Sequence, residues 1–213
     1  MKLISSIFLI FFLLNSSESF AQWHLTNNQL KTGAEQTAQY LPKLKGKRVG
    51  VFANPTSMIG NTHLVDTLVK SGVQVSIIFG PEHGFRGKAD AGEHVEDGVD
   101  AKTGIKVISL YGNHKKPTPQ DLRGLDILLF DIQDVGVRFY TYISSLQYLM
   151  EAALENNLPL IILDRPNPNG FYVDGPVLDT AFRSFVGMQP IPDRKSTRLN
   201  SSHEWISRMP SSA

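Results

Sequence analysis

The chain has 213 residues, 41% of them hydrophobic and 19% charged, with a formal net charge of +1. That is globular composition with length for one sizeable core, and it lacks the basic excess of a nucleic-acid-binding domain or a polybasic membrane patch. The absence of cysteine excludes a disulfide framework and any thiolate nucleophile or ligand.

At the N-terminus, Lys2 precedes an apolar stretch over residues 3–14, and Ser19-Phe20-Ala21 presents small residues where a signal peptidase reads. Residues 1–21 therefore read as a cleavable signal peptide, cut before Gln22. The stretch falls short of the roughly 20 apolar residues that a membrane span needs, so no stable membrane insertion is expected after cleavage. Periplasmic or secreted localisation follows. Residues 22–47 form a polar lead-in with an expected helix over 32–44.

From residue 48 a repeating pattern begins. RVGVFA (48–53) reads as a buried strand. Residues 62–71 carry Leu64, Val65, Leu68 and Val69 at helical spacing, closed by Gly72. VQVSIIF (73–79) is a second strand, followed by a glycine-rich polar loop that reaches Gly104. KVISL (106–110) is a third strand, and residues 118–123 are expected to form a short helix after Pro117. DILLF (126–130) is a fourth strand. Residues 143–156 predict a helix with Leu146, Leu149, Met150, Ala153 and Leu154 turned inward, and LIIL (160–163) is a fifth strand.

Residues 193–213 show neither helical nor strand periodicity. Their reverse translation fits the constant parts of a sequencing adapter on either side of an index at Glu204-Trp205. They are expected to be a disordered artefactual tail, with the genuine sequence stopping near Pro192. The tail holds four of the 21 basic residues and two of the 20 acidic ones, and the leader holds Lys2 and Glu18. What remains has a net charge of −1, further from any nucleic-acid partner.

Alternating strands and helices imply an α/β, Rossmann-like three-layer domain over residues 48–192 with a mainly parallel sheet. No glycine-rich dinucleotide fingerprint follows the first strand, where NPTSMIG stands, so no nucleotide cofactor is expected. In such sheets ligands bind beyond the carboxyl ends of the strands. Asn54 follows the first strand. Glu82, His83 and Arg86 follow the second. Asp131, Gln133, Asp134, Arg138, Tyr140 and Tyr142 follow the fourth, and Asp164, Arg165, Asn167 and Asn169 the fifth. Each has a plain structural explanation: Asp131 and Asp164 as helix caps, the arginines as their ion-pair partners, the tyrosines as packing, the asparagines as turn formers. Their convergence on one rim argues for a site. Aromatic faces stack on sugar rings, amides and arginines bind hydroxyls and carboxylates, and a carboxylic acid can protonate a glycosidic oxygen.

At VGVFANPT (49–56), FGPEHGFRG (79–87), LFDIQDVGVRFYTYISS (129–145) and LDRPNPNG (163–170), the chain resembles the exo-β-N-acetylmuramidases of glycoside hydrolase family 171, formerly a bacterial domain of unknown function. The likeness covers residues 47–192. It implies an exo-acting hydrolase that releases N-acetylmuramic acid from non-reducing ends of peptidoglycan fragments, and a partner set of peptidoglycan-derived muramic acid saccharides. It also implies a second, C-terminal domain across the cleft, missing here, so the chain as written is expected to be inactive. The acid of the GPEHG motif is the family's proposed catalytic residue, here Glu82. With it go His83 and Arg86, tuning Glu82 or binding the lactyl carboxylate, and Asp131, holding a water unless the substrate's acetamido group assists. Asn54, Arg138, Tyr140, Asp164 and Asn167 are candidate substrate contacts. Neither cofactor nor metal is expected.

Two other readings remain. Glu82, His83, Asp131 and Asp134 suit a metal-dependent hydrolase, although no H-E-x-x-H or H-x-x-x-H spacing is present. A non-catalytic periplasmic sugar-binding module needs the same rim without a working acid. A Ser-His-Asp hydrolase is disfavoured by the lack of a G-x-S-x-G elbow.

Overall fold

The computed structural model describes residues 30–87 and 97–194. The leader, the start of the lead-in, the middle of the glycine-rich loop and residues 195–213 of the tail lie outside the described residues.

The chain enters through a 3-10 turn, Gly33–Glu35, held by a reciprocal cap: Glu35 N–H donates to Thr32 Oγ1, and Thr32 N–H to Glu35 Oε2 at 2.7 Å. Helix α1 follows over Thr37–Leu44, so the single expected helix is broken at Gln36. The strands are β1 (Arg48–Ala53), β2 (Met58–Ile59), β3 (Thr62–His63), β4 (Gln74–Gly80), β5 (Gly98–Val99), β6 (Lys106–Ser109), β7 (Ile127–Asp131), β8 (Leu160–Ile162), β9 (Asp174–Val177) and β10 (Pro192–Arg194). Helix α2 spans Leu64–Lys70 and α3 spans Tyr142–Glu155.

The main sheet runs β5-β6-β4-β1-β7-β8, parallel throughout except for the antiparallel edge strand β5. Its five parallel strands lie in the chain order 3-2-1-4-5, that of the Rossmann fold, and the order reverses between β1 and β7. Alternate residues feed two cores. Val49, Val51 and Ala53 of β1 and Ile127 and Leu129 of β7 pack with α1 and α2 on one face. Phe52, Leu128 and Phe130 pack with Leu149, Ala152 and Ala153 of α3 on the other. A bulge in β4 shifts the alternation: Val75 and Ile78 join the first core while Ile77 and Phe79 join the second.

Three expectations are corrected. Residues 62–63 pair with 58–59 as a small hairpin before α2 starts at Leu64; the β-branched Thr62 suits that strand better than a helix start. Residues 118–125 form turns, closed by Thr118 and Asp121 bonding to each other, in place of a helix. On α3, Met150 and Leu154 are exposed while Ala152 is buried; the small residues let the helix approach the sheet. An antiparallel ribbon of β9 and β10 was not expected. It draws Asp193 and Arg194, the first residues of the tail, into a described strand.

Candidate active site

The strand ends on either side of the sheet reversal are tied together by polar contacts. Asn54, leaving β1, is buried. Its Oδ1 accepts from Thr56 N–H at 2.9 Å and Thr56 Oγ1 at 2.6 Å, and its carbonyl meets His63 Nε2 at 3.0 Å. Ser57 Oγ donates to the carbonyl of Asp131 at the end of β7. Gln133 binds Thr56 through its backbone and Pro166, beyond β8, through its amide. Asn169 reaches the carbonyl of Val135 at 2.9 Å.

Beyond β4 the chain folds back on itself. His83 adopts φ 69°, uncommon for a side-chain-bearing residue, and Gly84 follows at 74°. Gly87 has φ 69°, and a Cβ there would stand 2.8 Å from Pro55, so only glycine fits. Phe85 is buried edge-on against His63, ring centroids 4.6 Å apart. Arg86 fastens the loop: its guanidinium binds Asp100 (2.7 Å) and Asp66 of α2 (2.8 Å). Both carboxyls are held below the usual carboxylate range, foremost by their hydrogen bonds to Arg86.

The loop leaves Glu82 half-buried, with Tyr111 Oη donating to its Oε1 at 2.9 Å. Tyr142, the first residue of α3, lies within electrostatic reach of Glu82. Burial pushes its phenol up, the Asn54 amide acts the other way, and the charges of Glu82, Tyr140 and Asp134 add to the rise. Tyr140 is exposed, its ring 6.3 Å from that of Tyr142 in an edge arrangement. Between them Thr141 takes φ 67°, which turns the chain from the 3-10 turn Arg138–Tyr140 into α3. The structure therefore bonds Glu82 to Tyr111 and sets Tyr140 beside Tyr142, which is within electrostatic reach of Glu82. Sequence reading missed Tyr111. It lies two residues past β6, at the start of a run (YGNHKK, 111–116) with no acid or arginine to mark it.

Other candidates have different partners. Asp131 is fully buried, and Arg165 binds both its oxygens at 2.6 and 2.9 Å. Burial pushes its carboxyl up against that pairing. With both oxygens occupied, it is placed to hold the rim together, not to hold a water. Arg86 is likewise paired with Asp66 and Asp100. Arg138 donates to the carbonyl of Ile191 at 2.7 Å and pairs with Asp193, so it anchors the segment around β10. Asp164 is half-buried with its carboxyl pushed up by burial, and its carbonyl accepts Gly33 N–H at 2.6 Å under the lead-in. Asn167 Oδ1 accepts Asn169 N–H, while its buried Nδ2 finds no hydrogen-bond partner among the described residues. No group of three or more His, Asp or Glu side chains among the described residues is arranged to hold a metal ion. Nor, among these residues, is any helix long and apolar enough to cross a membrane.

Comparison with known proteins places the chain in a family. The family described as "Exo-beta-N-acetylmuramidase NamZ, N-terminal" matches residues 49–208. The peptidoglycan β-N-acetylmuramidase NamZ of Bacillus subtilis (strain 168) is 52% identical over 158 residues, covering 72% of this chain and 38% of that protein. Two crystal structures of DUF1343 family proteins from Bacteroides fragilis NCTC 9343 each align with 78% of the chain. One has 48% identity and a TM-score of 0.68 and is covered over 43% of its length. The other has 42% identity and a TM-score of 0.71 and is covered over 42%. The chain thus spans about two fifths of the length of each of these relatives, and it belongs to the NamZ exo-β-N-acetylmuramidase N-terminal family.

Proposed function

We propose that this chain carries the acid-bearing part of an exo-acting glycoside hydrolase that releases N-acetylmuramic acid from the non-reducing ends of peptidoglycan fragments, with Glu82 as general acid. The observation that carries this reading is the placement of Glu82. Its carboxyl is half-buried at the strand-end rim and accepts the Tyr111 hydroxyl, with Tyr142 within electrostatic reach. A protonated Glu82 gives its proton to the glycosidic oxygen as the bond to the anomeric carbon breaks, and the leaving sugar departs as an alcohol; water supplies the hydroxyl that bonds the anomeric carbon and the proton that restores the site. The exposed ring of Tyr140 offers a stacking face to a sugar. Asp131 acts through Arg165 by fixing the ends of β7 and β8. With the leader over residues 1–21, the site of action is the periplasm or the exterior.

The test measures release of N-acetylmuramic acid from a muramic-acid-terminated disaccharide. It uses the gene product at the relatives' full length and its Glu82→Gln variant. A fall in kcat of about a hundredfold or more is expected. Undiminished turnover would remove Glu82 from its role.

A further inference from the structure

Glu82 has two oxygens, and the structure distinguishes them. Oε1 accepts the Tyr111 hydroxyl at 2.9 Å. A protonated carboxyl carries its hydrogen on one oxygen and offers the other as an acceptor. We propose that Tyr111 is a positioning residue for Glu82: by donating to Oε1 it leaves Oε2 to carry the transferable proton and steadies the carboxylate left behind. This rests on the reading of Glu82 as general acid.

The physical basis is the difference between the two states of the carboxyl. A hydroxyl bonds a carboxylate about twice as strongly as a neutral oxygen. Tyr111 therefore favours the ionised form that exists after the proton has been given away. It holds Glu82 in one orientation before transfer and supports it after. The converse effect is visible on the phenol, which is pushed up foremost by its bond to Glu82. Among the described residues, Tyr111 beyond β6 bonds Glu82, and Tyr142 of α3, itself within electrostatic reach of Tyr140 and Asp134, is within electrostatic reach of it. Only Tyr111 makes a hydrogen bond to the carboxyl among the described residues. The geometry explains why a tyrosine is suited to this place. A lysine or arginine there would hold Glu82 ionised, unable to act as an acid near neutral pH, whereas a neutral donor biases the carboxyl without fixing its charge.

Two variants test the idea in opposite directions. In Tyr111→Phe the carboxylate loses its donor, so its ionised form is less favoured. A fluorinated tyrosine at position 111, a stronger donor of the same shape, favours that form more. The shift is read by carbon-13 titration of the Glu82 carboxyl in this chain, assigned by Glu82→Gln. In the full-length protein it is read as movement of the alkaline limb of kcat/KM against pH, with kcat for Tyr111→Phe falling about tenfold and KM little changed. A carboxyl titration that stays still in both variants overturns the proposal while leaving Glu82 untouched as the acid. Full activity of Glu82→Gln overturns the reading of the acid itself, whatever Tyr111 does. The fluorinated variant keeps the tyrosine shape, so the test does not depend on the phenylalanine variant folding.

Discussion

The ion pair at the sheet reversal shows how one buried residue decides what its neighbours do. Asp131 has no exposure, and the whole of its charge is met by Arg165, which also donates to the carbonyl of Met58 at 2.9 Å. Tyr40 lies near enough for Asp131 to help push its phenol up to about 12, after burial. Arg165→Met removes the countercharge and leaves a carboxylate in the core, which is expected to cost about 3–5 kcal/mol in urea denaturation. A loss below about 1 kcal/mol would mean that Asp131 finds another partner. His63 gives a second prediction at this scale. It is buried between the carbonyl of Asn54 and the N–H of Val65, and burial, the largest influence, lowers its pKa. An unfolded chain takes up that proton first as pH falls through about 6.5. Stability is therefore complete above that pH and declines below it, toward the depressed folded value. Urea midpoints measured between about pH 7 and 5.5 should fall, and His63→Gln, less stable at the start, should fall less steeply. Glu82 and Asn54 stand out in the sequence because each follows a plainly apolar strand. The ion pairs of Arg86 and Asp131 were not legible, because a charged residue looks alike in sequence whether it waits for a ligand or is already paired.

Elements were legible wherever burial made their pattern unmistakable. β1 begins and ends where its apolar run does, and the other parallel strands differ from expectation by a residue or two. Short polar elements were not legible. The hairpin of β2 and β3 has two residues a side, too few for any periodicity, and the ribbon of β9 and β10 is set by pairing between distant segments. The lead-in illustrates an element placed by a single close approach. Gly33 donates to the carbonyl of Asp164 at 2.6 Å, and a Cβ at Gly33 would fall 2.5 Å from the Asp164 nitrogen. Gly33→Ala must push the 3-10 turn off the end of β8, at an expected cost of roughly 2–3 kcal/mol by thermal denaturation. An unchanged midpoint would show that the lead-in is not docked there.

At the scale of the whole molecule, the strand order places everything else. Because the sheet starts at its centre with β1 and grows first toward β6 and then toward β8, the crevice between β1 and β7 opens at the carboxyl ends. Into that end the β4 loop carries Glu82, the segment after β6 carries Tyr111, and α3 carries Tyr142. The alternation of apolar strands and helices made this architecture readable, while the pairing of side chains across the rim depended on contacts among residues far apart in sequence. The most direct measurement of the central claim, that the Glu82 carboxyl protonates the leaving oxygen, compares two substrates in the full-length Glu82→Gln protein. A sugar leaving group needs a proton, and an activated aryl leaving group such as dinitrophenolate does not. A loss in kcat/KM of about a hundredfold or more for the disaccharide with nearly full activity on the aryl glycoside is the expected result; equal losses on both, or none on either, would contradict it.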